Sequence, residues 1–401
     1  MTTDRLGNSF IVWLKQRPLL HIVFVYWLLY VFISGCLLVY VASQSQVYYE
    51  HLGWQLCLFV VNAWQIYLLF KQCLHLLSNA SYQWLVGGLM LWMLSDFAYV
   101  GVLLDSMMDS MMLIGFLCII NGLLGCVQGN HPFRYLYLFC LSVSGLVIIN
   151  MNGFFIGIWA IFYLIWMFYE VGSNFKKFQI MALMFMVGFA SFFSFQSYLE
   201  KNVEDHFHSM TLGVLEVMED PEKALNDFGI YSSYTLLKGV SLEDEIKVVD
   251  LNQPLIYDEF LDHYTSLDIS FYYLLHPLTL SYIVNDSIQS AVLGSWIDEF
   301  DHFKLFSSYS LFKRYYWPTT GAYLVMLMTG LLFLNGVMDK QGIFSISFVL
   351  LMMCFSLLFT HFIKSGYYDL STDLMILSFV LDILFIFFLI SLIKKFLNGR
   401  C

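Results

Sequence analysis

The fold is decided by long apolar stretches, and the clearest of them is residues 374–394, LMILSFVLDILFIFFLISLIK. Only Asp382 and the final Lys394 are charged in this stretch. An α-helix rises about 1.5 Å per residue, so about 20 apolar residues cross the hydrocarbon core of a bilayer, which is about 30 Å thick. The stretch therefore predicts a membrane-spanning helix.

Similar stretches recur along the chain, and each predicts a helix because a lipid-exposed backbone must form its hydrogen bonds within the segment. They lie at about 19–43, 53–70, 82–104, 110–127, 133–150, 153–171, 178–197, 317–336, 342–363 and 374–394. The predicted fold class is an all-α polytopic membrane protein with about ten transmembrane helices.

The composition excludes an ordinary water-soluble protein. Hydrophobic residues make up 59% of the chain and charged residues 12%, with a mean hydropathy of +0.71, whereas soluble domains carry roughly 25% charged residues. The stretch 19–43 is not followed by a small-residue cleavage sequence. We therefore interpret it as a first span rather than a removed signal peptide.

The distribution of cations predicts which side of the membrane each loop faces, because cytoplasmic loops are enriched in Lys and Arg. With a cytoplasmic N-terminus, one side receives nearly all cations outside residues 198–316, namely Arg5, Lys15, Arg17, Lys71, Arg134, Lys176, Lys177, Lys340, Lys394, Lys395 and Arg400. The opposite short loops are acidic, with Lys364 as their only cation. We expect a multi-pass cell-membrane protein with both termini in the cytoplasm.

An acidic interval, residues 198–316, separates a predicted N-terminal membrane domain, 1–197, from a C-terminal one, 317–401. It carries 20 acidic and seven basic residues, a net charge near −13. Its length suffices for a small folded domain. Because it contains no cysteine, its fold cannot depend on disulfides. We expect an extracytoplasmic, mainly helical domain between helices 7 and 8.

Local signals predict helices within this domain. Asp220-Pro221-Glu222 is typical of an N-cap followed by proline at the first helical position, with a stop at Gly229. Asp268 predicts the start of a helix that runs to His276-Pro277, and the interval 287–300 is long enough for another.

Motifs of soluble enzymes are absent from the sequence, which contains no GxGxxG, GxxxxGK[ST], GxSxG or HExxH. This makes a cytoplasmic ATP-driven mechanism unexpected. The candidates for chemistry are ionisable residues in the membrane or at its exported face.

Three carboxylates stand out around the third predicted helix. Asp96 lies within it, and Asp105 and Asp109 follow at its outer end. A carboxylate inside the membrane is costly unless it faces protein or water. Asp96 is therefore either a catalytic or substrate-binding residue or a hydrogen-bond partner of a neighbouring Tyr or Ser, while the other two either join it or form a solvated acidic loop. Asp382 is interpreted as a structural hydrogen-bond acceptor or helix–helix contact.

Two further groups have alternative interpretations. Lys313 and Arg314 either hold a lipid-linked phosphate or anchor the chain at the interface. The pair His206 and His208 resembles a metal-binding His-x-His motif, but residues two apart on a helix point in different directions. A metal site there is not favoured.

Several stretches together resemble bacterial glycan-biosynthesis hexose transferases of the WsfD-like type, which are multipass proteins similar in architecture to C-type glycosyltransferases. The resemblance covers about residues 90–395 and is carried by motifs in matching order: Asp96-Phe97-Ala98-Tyr99 with Asp109, Asn150 to Asn152, Phe207 to Leu215, Asp220 to Leu225 with Phe228 to Ile230, Phe271 to Pro277, Phe312-Lys313-Arg314, and Gly366 through Asp369-Leu370 to Asp382. The last outer loop departs from the family pattern, since Ser365 and Thr372 stand where Asp and His are usual.

The resemblance implies transfer of a sugar from a polyprenyl-phosphate donor to a cell-surface glycan at the outer membrane face. It implies catalytic roles for Asp96, Asp109 and Tyr99, and substrate-binding roles for Asp105, Asn152, Lys313, Arg314 and Asp369. We expect no cofactor and no metal ligand, with a divalent cation at the outer face as the one alternative left open. The expected partners are the lipid-linked donor, the glycan acceptor, membrane lipid and a protein contacting residues 198–316, but not nucleic acid.

Two other function classes remain. The shortened and altered outer loops favour a catalytically degenerate homologue that acts as a glycan assembly or export subunit. A solute or ion transporter would place polar residues across the whole bilayer, whereas here the polarity gathers on one face.

Overall fold

The computed structural model describes residues 25, 52–94, 96, 99, 107–128, 132–150, 153–199, 203–241, 254–293, 343–367 and 371–398. Every regular element within these ranges is helical, which confirms the predicted all-α class. The predicted spans 19–43 and 317–336 lie outside the described residues, apart from Val25, so the count of ten stays a prediction.

Among the described residues, six helices precede the acidic interval and two follow it. The first six are α1 (Leu52–His75), α2 (Ala80–Leu94), α3 (Met107–Gln128), α4 (Pro132–Ile149), α5 (Phe154–Glu170) and α6 (Asn174–Leu199). The last two described helices are labelled α12 (Ile343–Ser365) and α13 (Ser371–Asn398) because five short helices intervene. Within the described ranges, α3, α4, α6, α12 and α13 are long and apolar enough to cross a membrane.

The inter-span segment, residues 203–293, contains the five short helices between the spans of α6 and α12. They are α7 (Val203–His208), α8 (Pro221–Asp227), α9 (Pro254–Glu259), α10 (Ser266–Leu275) and α11 (Pro277–Leu293). Helix α7 continues as a π-helical turn, Ser209–Val214, and then as a last α-helical turn, Leu215–Val217, and 3-10 turns occupy Ser232–Leu237 and Leu261–His263. Helical structure here agrees with the prediction.

The capping signals predicted both ends of α8 correctly, whereas the predicted starts of α10 and α11 lie later in the sequence than the observed ones. Asp220 caps α8 by accepting the backbone N–H of Lys223 at 3.1 Å, and Gly229 ends it with a φ of 73°. Helix α10, however, begins after Thr265, not at Asp268. Thr265 and Asp268 form a capping box in which each side chain accepts from the other's backbone N–H.

The helix predicted over 287–300 starts earlier, at Pro277, in the structure. Proline has no backbone N–H to lose and has its φ already set for a helix, so it fits the first helical position. Residues 294–300 lie outside the described part of the chain.

The chain divides into two compact units. The first takes its described residues from Met1–Leu146, Val292–Leu351 and Ser378–Cys401, and the second from Val147–Ala291 and Met352–Leu377. In the first unit α1 packs along α3, and α3 approaches α4 at Gly122, where a Cβ would lie 2.8 Å from Phe139 Cβ. Such small residues let membrane helices pack closely.

The second unit packs α5 along α6 and surrounds an apolar core with the inter-span segment. Its largest fully buried side chains are aromatic: Phe207, Phe260, Tyr264 and Tyr273. Each buried ring removes a large apolar surface from solvent, which makes aromatic side chains major contributors to the stability of a core.

Candidate functional site

A buried tyrosine–carboxylate pair lies in the first unit. The Tyr99 hydroxyl donates a hydrogen bond to Asp382 and lies 3.3 Å from the Ser378 hydroxyl, one turn earlier on α13. Phe379 packs edge-on against the Tyr99 ring at 5.4 Å between centroids. The hydrogen-bond acceptor role predicted for Asp382 is thereby confirmed.

Asp96 is buried close to the same tyrosine, with 2% of its surface exposed, and its charge acts on the Tyr99 hydroxyl. It does not lie within a helix as expected, because α2 ends at Leu94. The Asp96 backbone N–H instead donates to the Met93 carbonyl at 3.2 Å, the i to i−3 spacing of a tight turn. Asp residues favour such non-helical positions because their side chains compete for backbone N–H groups.

The other predicted site residues are placed as follows. Asp109 lies half-buried in the first turn of α3, where a carboxylate interacts favourably with the positive end of the helix dipole. Asp105, Asn152, Lys313, Arg314 and Asp369 lie outside the described residues. The structure therefore brings Asp96 and Tyr99 together, with Asp382 as the member that the sequence assigned to structure alone.

An amide cluster joins α1 to α3. Asn121 donates to the Gln65 backbone and side-chain oxygens at 2.7 and 2.9 Å, and Gln72 donates to the Asn121 carbonyl at 3.1 Å. The amides of Asn62 and Gln65 interrupt the predicted span 53–70. In the structure Asn62 and Gln65 are buried, Gln65 bonds to the neighbouring helix, and α1 is not among the five described helices that are long and apolar enough to cross a membrane.

An ion pair links the inter-span segment to the end of α12 in the second unit. Lys364 Nζ lies 3.4 Å from Asp205 Oδ2, and the Ser365 hydroxyl lies 3.4 Å from Asp205 Oδ1. Ser365 occupies the place where the resembled family usually has Asp. A carboxylate thus lies beside that position even though it comes from a distant part of the chain.

A second pair joins α12 to α13. His361 Nδ1 lies 2.8 Å from Asp373 Oδ2, and both side chains are largely buried. The resemblance to the WsfD-like transferases predicts a His near Asp373 within the loop. Here the imidazole comes from twelve residues upstream, a contact that sequence spacing did not reveal because a turn separates the two helices.

Two of the resemblance motifs meet at a pair of glycines. Gly366 has a φ of 62°, and a Cβ there would lie 2.5 Å from the Gly213 backbone nitrogen in the π-helical turn. The Tyr367 N–H donates to the Leu212 carbonyl at 3.4 Å nearby. Only glycine permits both the left-handed backbone and this close approach.

The inter-span segment contains a cleft of about 820 Å³. One wall carries carboxylates and the other is formed by α10 and α11, with the lining residues Glu216, Val217, Met218, Glu219, Asp220, Lys223, Tyr272, Leu275, His276, Pro277, Leu278, Thr279 and Tyr282. The Thr279 hydroxyl links the two walls by donating a hydrogen bond to the Met218 sulfur at 3.6 Å. From the sequence, His276 and Asp220 were predicted to lie at helix ends, and neither was predicted to line a cleft.

Two tyrosines of the second unit, Tyr272 in the wall of the cleft and Tyr367 just after α12, are held in their neutral form. Burial, followed by the charges of Asp227 and Asp220, raises the pKa of Tyr272 to about 12. Burial and a hydrogen bond to Asp286 raise the pKa of Tyr367 well above its usual range. Both hydroxyls are therefore hydrogen-bonding groups rather than charged ones at neutral pH.

The His-x-His pair of α7 does not converge on one point. His206 Nε2 lies 3.0 Å from the Leu261 carbonyl oxygen, and its ring stacks on Tyr264 at 4.2 Å between centroids. Among the described residues, no group of three His, Cys, Asp or Glu side chains is arranged to hold a metal ion.

Residues 54–400 match the family described as the YfdI N-terminal transmembrane domain. The chain belongs to this family. No curated protein and no solved structure matches the chain.

The family match extends from α1 through α13 and includes the tyrosine–carboxylate pair and the cleft. Together with the five apolar helices, it identifies the chain as a membrane protein with several transmembrane helices.

Proposed function

We propose that the chain is a membrane glycosyltransferase that moves a sugar from a polyprenyl-phosphate donor to a cell-surface glycan at the outer face of the membrane. The observation that carries this proposal is the cleft of the inter-span segment. Carboxylates accept hydrogen bonds from hydroxyl groups, and tyrosine rings offer flat apolar faces to the C–H surface of a sugar. The resemblance to the WsfD-like transferases supports the same substrate class.

The charge of the cleft indicates which of the two substrates it binds. Glu216, Glu219 and Asp220 face one cation, Lys223, so the cleft repels phosphate and suits an uncharged saccharide. We assign it to the glycan acceptor. The donor phosphate is assigned to Lys313 and Arg314, since basic side chains are the natural partners of phosphate, while Asp105, Asn152 and Asp369 contribute to substrate binding.

The proposed reaction needs one general base. Asp96 or Asp109 takes the proton of the acceptor hydroxyl, whose oxygen then forms a bond to the anomeric carbon of the donor sugar. The bond from that carbon to the phosphate oxygen breaks, and polyprenyl phosphate leaves. Tyr99, beside Asp96 and bonded to Asp382, orients the carboxylates. General-base catalysis contributes about 10²–10⁴ to the rate.

The proposal includes a topology of ten helices with both termini in the cytoplasm and residues 198–316 outside. The one-sided distribution of cations in the short loops supports it. The second unit supports it as well, because the inter-span segment contacts the C-terminal end of α12, which this topology assigns to the outer face.

The test is transfer of labelled sugar from polyprenyl phosphate to glycan, with purified full-length protein in liposomes. We expect the Asp96→Asn or the Asp109→Asn variant to lose at least about 100-fold in transfer rate, because the general base is removed. Glu222→Gln, an exposed carboxylate of α8 outside the cleft, is the matched control and should transfer at the wild-type rate. Normal transfer by both aspartate variants would remove the catalytic assignment.

A degenerate homologue acting in glycan assembly or export is the second candidate. One observation favours it: the Tyr99 hydroxyl is already hydrogen-bonded to Asp382, as in a structural helix contact. Binding of labelled polyprenyl-phospho-sugar to the purified protein separates the two candidates, since the assembly subunit would bind a protein through residues 198–316 and not the donor. Ion or solute flux into the same liposomes would indicate a transporter instead.

A further inference from the structure

Helices α10 and α11 expose an apolar face that extends beyond the cleft. Its residues are between 52% and 87% exposed and recur at intervals of three or four along each helix: Leu267, Phe271, Leu274, Leu275, Leu278 and Tyr282. Patches of this size on a protein surface usually mark contact with a partner or a membrane. We refer to these six residues as the α10–α11 face.

The opposite side of α10 is fixed in the protein. Ile269 and Tyr273 are fully buried in the core of the second unit, and Tyr272 is nearly so. The exposed residues therefore belong to a folded, amphipathic helix, and their exposure does not come from a loose chain end.

Contacts with two membrane spans show that α10 lies next to the ends of these spans. Tyr273 packs on Phe362, three residues before the end of the span Ser345–Ser365, with ring centroids 5.5 Å apart. Tyr198, the last residue of the span Asn174–Tyr198, is buried in the same apolar cluster as Ile269 and Tyr273 of α10. Helix α10 thus lies against the ends of two membrane spans.

We propose that the α10–α11 face rests in the lipid interface at the ends of these spans, with its leucine and phenylalanine side chains among the upper acyl chains. A helix held at the end of a membrane span with an apolar outer face is typical of an interfacial helix. The occupant of the face is therefore the bilayer that the chain already spans.

The contact depends on apolar burial and not on lipid charge. Neither α10 nor α11 contains a Lys or Arg residue, whereas interfacial helices that select anionic lipids carry cations on their polar face. Insertion should consequently be the same in zwitterionic and anionic bilayers and should not respond to salt.

The position of the cleft follows from this arrangement. Leu275, Leu278 and Tyr282 belong to the α10–α11 face and also line the cleft. The cleft therefore opens at the lipid surface.

The test is the depth of spin labels in full-length protein reconstituted into phosphatidylcholine liposomes. Labels are attached to Phe271→Cys, Leu274→Cys and Tyr282→Cys, with Glu222→Cys on α8 as the exposed aqueous control and wild-type protein to subtract native thiols. We expect the three face labels to collide several-fold more often with oxygen, which concentrates in lipid, than with a water-soluble nickel chelate. The control label should show the reverse, and adding phosphatidylglycerol or salt should change neither result.

Two outcomes overturn the proposal. Nickel accessibility at the face equal to that at Glu222→Cys would place the face in water. Spin–spin broadening that disappears on dilution with unlabelled protein would assign the face to a second copy of the chain. Elution of each variant at the wild-type position in size-exclusion chromatography ensures that folded protein is compared, and three independent sites guard against loss of one variant.

Discussion

The first unit and the inter-span segment bury polar groups in different ways. In the first unit, side chains distant in sequence bond to one another, as in Tyr99 with Asp382 and Asn121 with Gln65. In the inter-span segment the buried groups are mainly aromatic, and their polar atoms turn to the backbone, as when the Tyr264 hydroxyl donates to the His206 carbonyl at 2.8 Å.

The solvent explains this difference. Between membrane helices an apolar side chain gains little by leaving lipid, so close packing and interhelical hydrogen bonds determine which helices associate. In the topology that we propose, most of the inter-span segment faces water, and there the burial of each aromatic ring adds stability. The comparison predicts that single substitutions cost more in the inter-span segment than in the first unit.

The largest effect is expected at Phe260. Its ring is fully buried and lies 5.2 Å from Tyr234 and 5.9 Å from Tyr264 between centroids. Phe260→Ala should lower the free energy of unfolding of the segment by about 3–5 kcal/mol, because a ring-sized cavity remains. The measurement is the rate of limited proteolysis within residues 203–293 of the full-length protein. Tyr231→Ala, which truncates an exposed ring, is the control, and equal rates for the two variants would contradict the aromatic core.

An intermediate effect is expected at Gly366, where a left-handed backbone and a close contact coincide. Gly366→Ala should cost about 2–4 kcal/mol, Gly229→Ala about 1 kcal/mol and Gly172→Ala close to nothing. Gly229 shares the positive φ but has space for a Cβ, and Gly172 has neither constraint. The measurement is the rate at which the buried Cys354 thiol of the same unit becomes labelled on heating, resolved by mass spectrometry.

The order of the stability costs of the three substitutions distinguishes backbone strain at a positive φ from a steric clash of the added Cβ. If Gly366→Ala costs no more than Gly229→Ala, then the approach of Gly213 relaxes easily and only the backbone conformation matters. If all three are neutral, the contact between the two resemblance motifs does not stabilise the unit.

The smallest effect is expected for the Tyr99–Asp382 pair. A double-mutant cycle with Tyr99→Phe and Asp382→Ala should give a coupling energy of about 0.5–2 kcal/mol, the range found for hydrogen bonds between membrane helices. The readout is labelling of Cys73 and Cys140, which are buried in the first unit. Tyr99→Phe combined with Ser391→Ala should be additive, because the hydrogen bond of Ser391 among the described residues stays within its own helix, at the Phe387 carbonyl. Additive effects for the Tyr99–Asp382 pair as well would show that the contact contributes no stability.

Local sequence signals predicted the elements better than their pairings. Asp220-Pro221 and Gly229 marked both ends of α8 because capping involves only neighbouring residues. The start of α10 was misplaced by three residues, since Asp268 is also favourable as the third residue of a capping box led by Thr265. The contacts of His361 with Asp373 and of Lys364 with Asp205 had no local signal, because each joins residues that only the fold brings together.

The sequence by itself determined that the chain is an all-helical membrane protein, because burial of about 20 apolar residues in lipid requires a helix wherever it occurs. It also singled out Asp96 and Asp382 as carboxylates in an apolar setting. Only the tertiary structure decided that Tyr99 bonds to Asp382, that Gly213 meets Gly366 and that α10 turns its leucines outward at the ends of two spans. Hydropathy is a property of each segment, whereas partners depend on how helices pack, and side-chain contacts across the chain leave no periodic trace in the sequence.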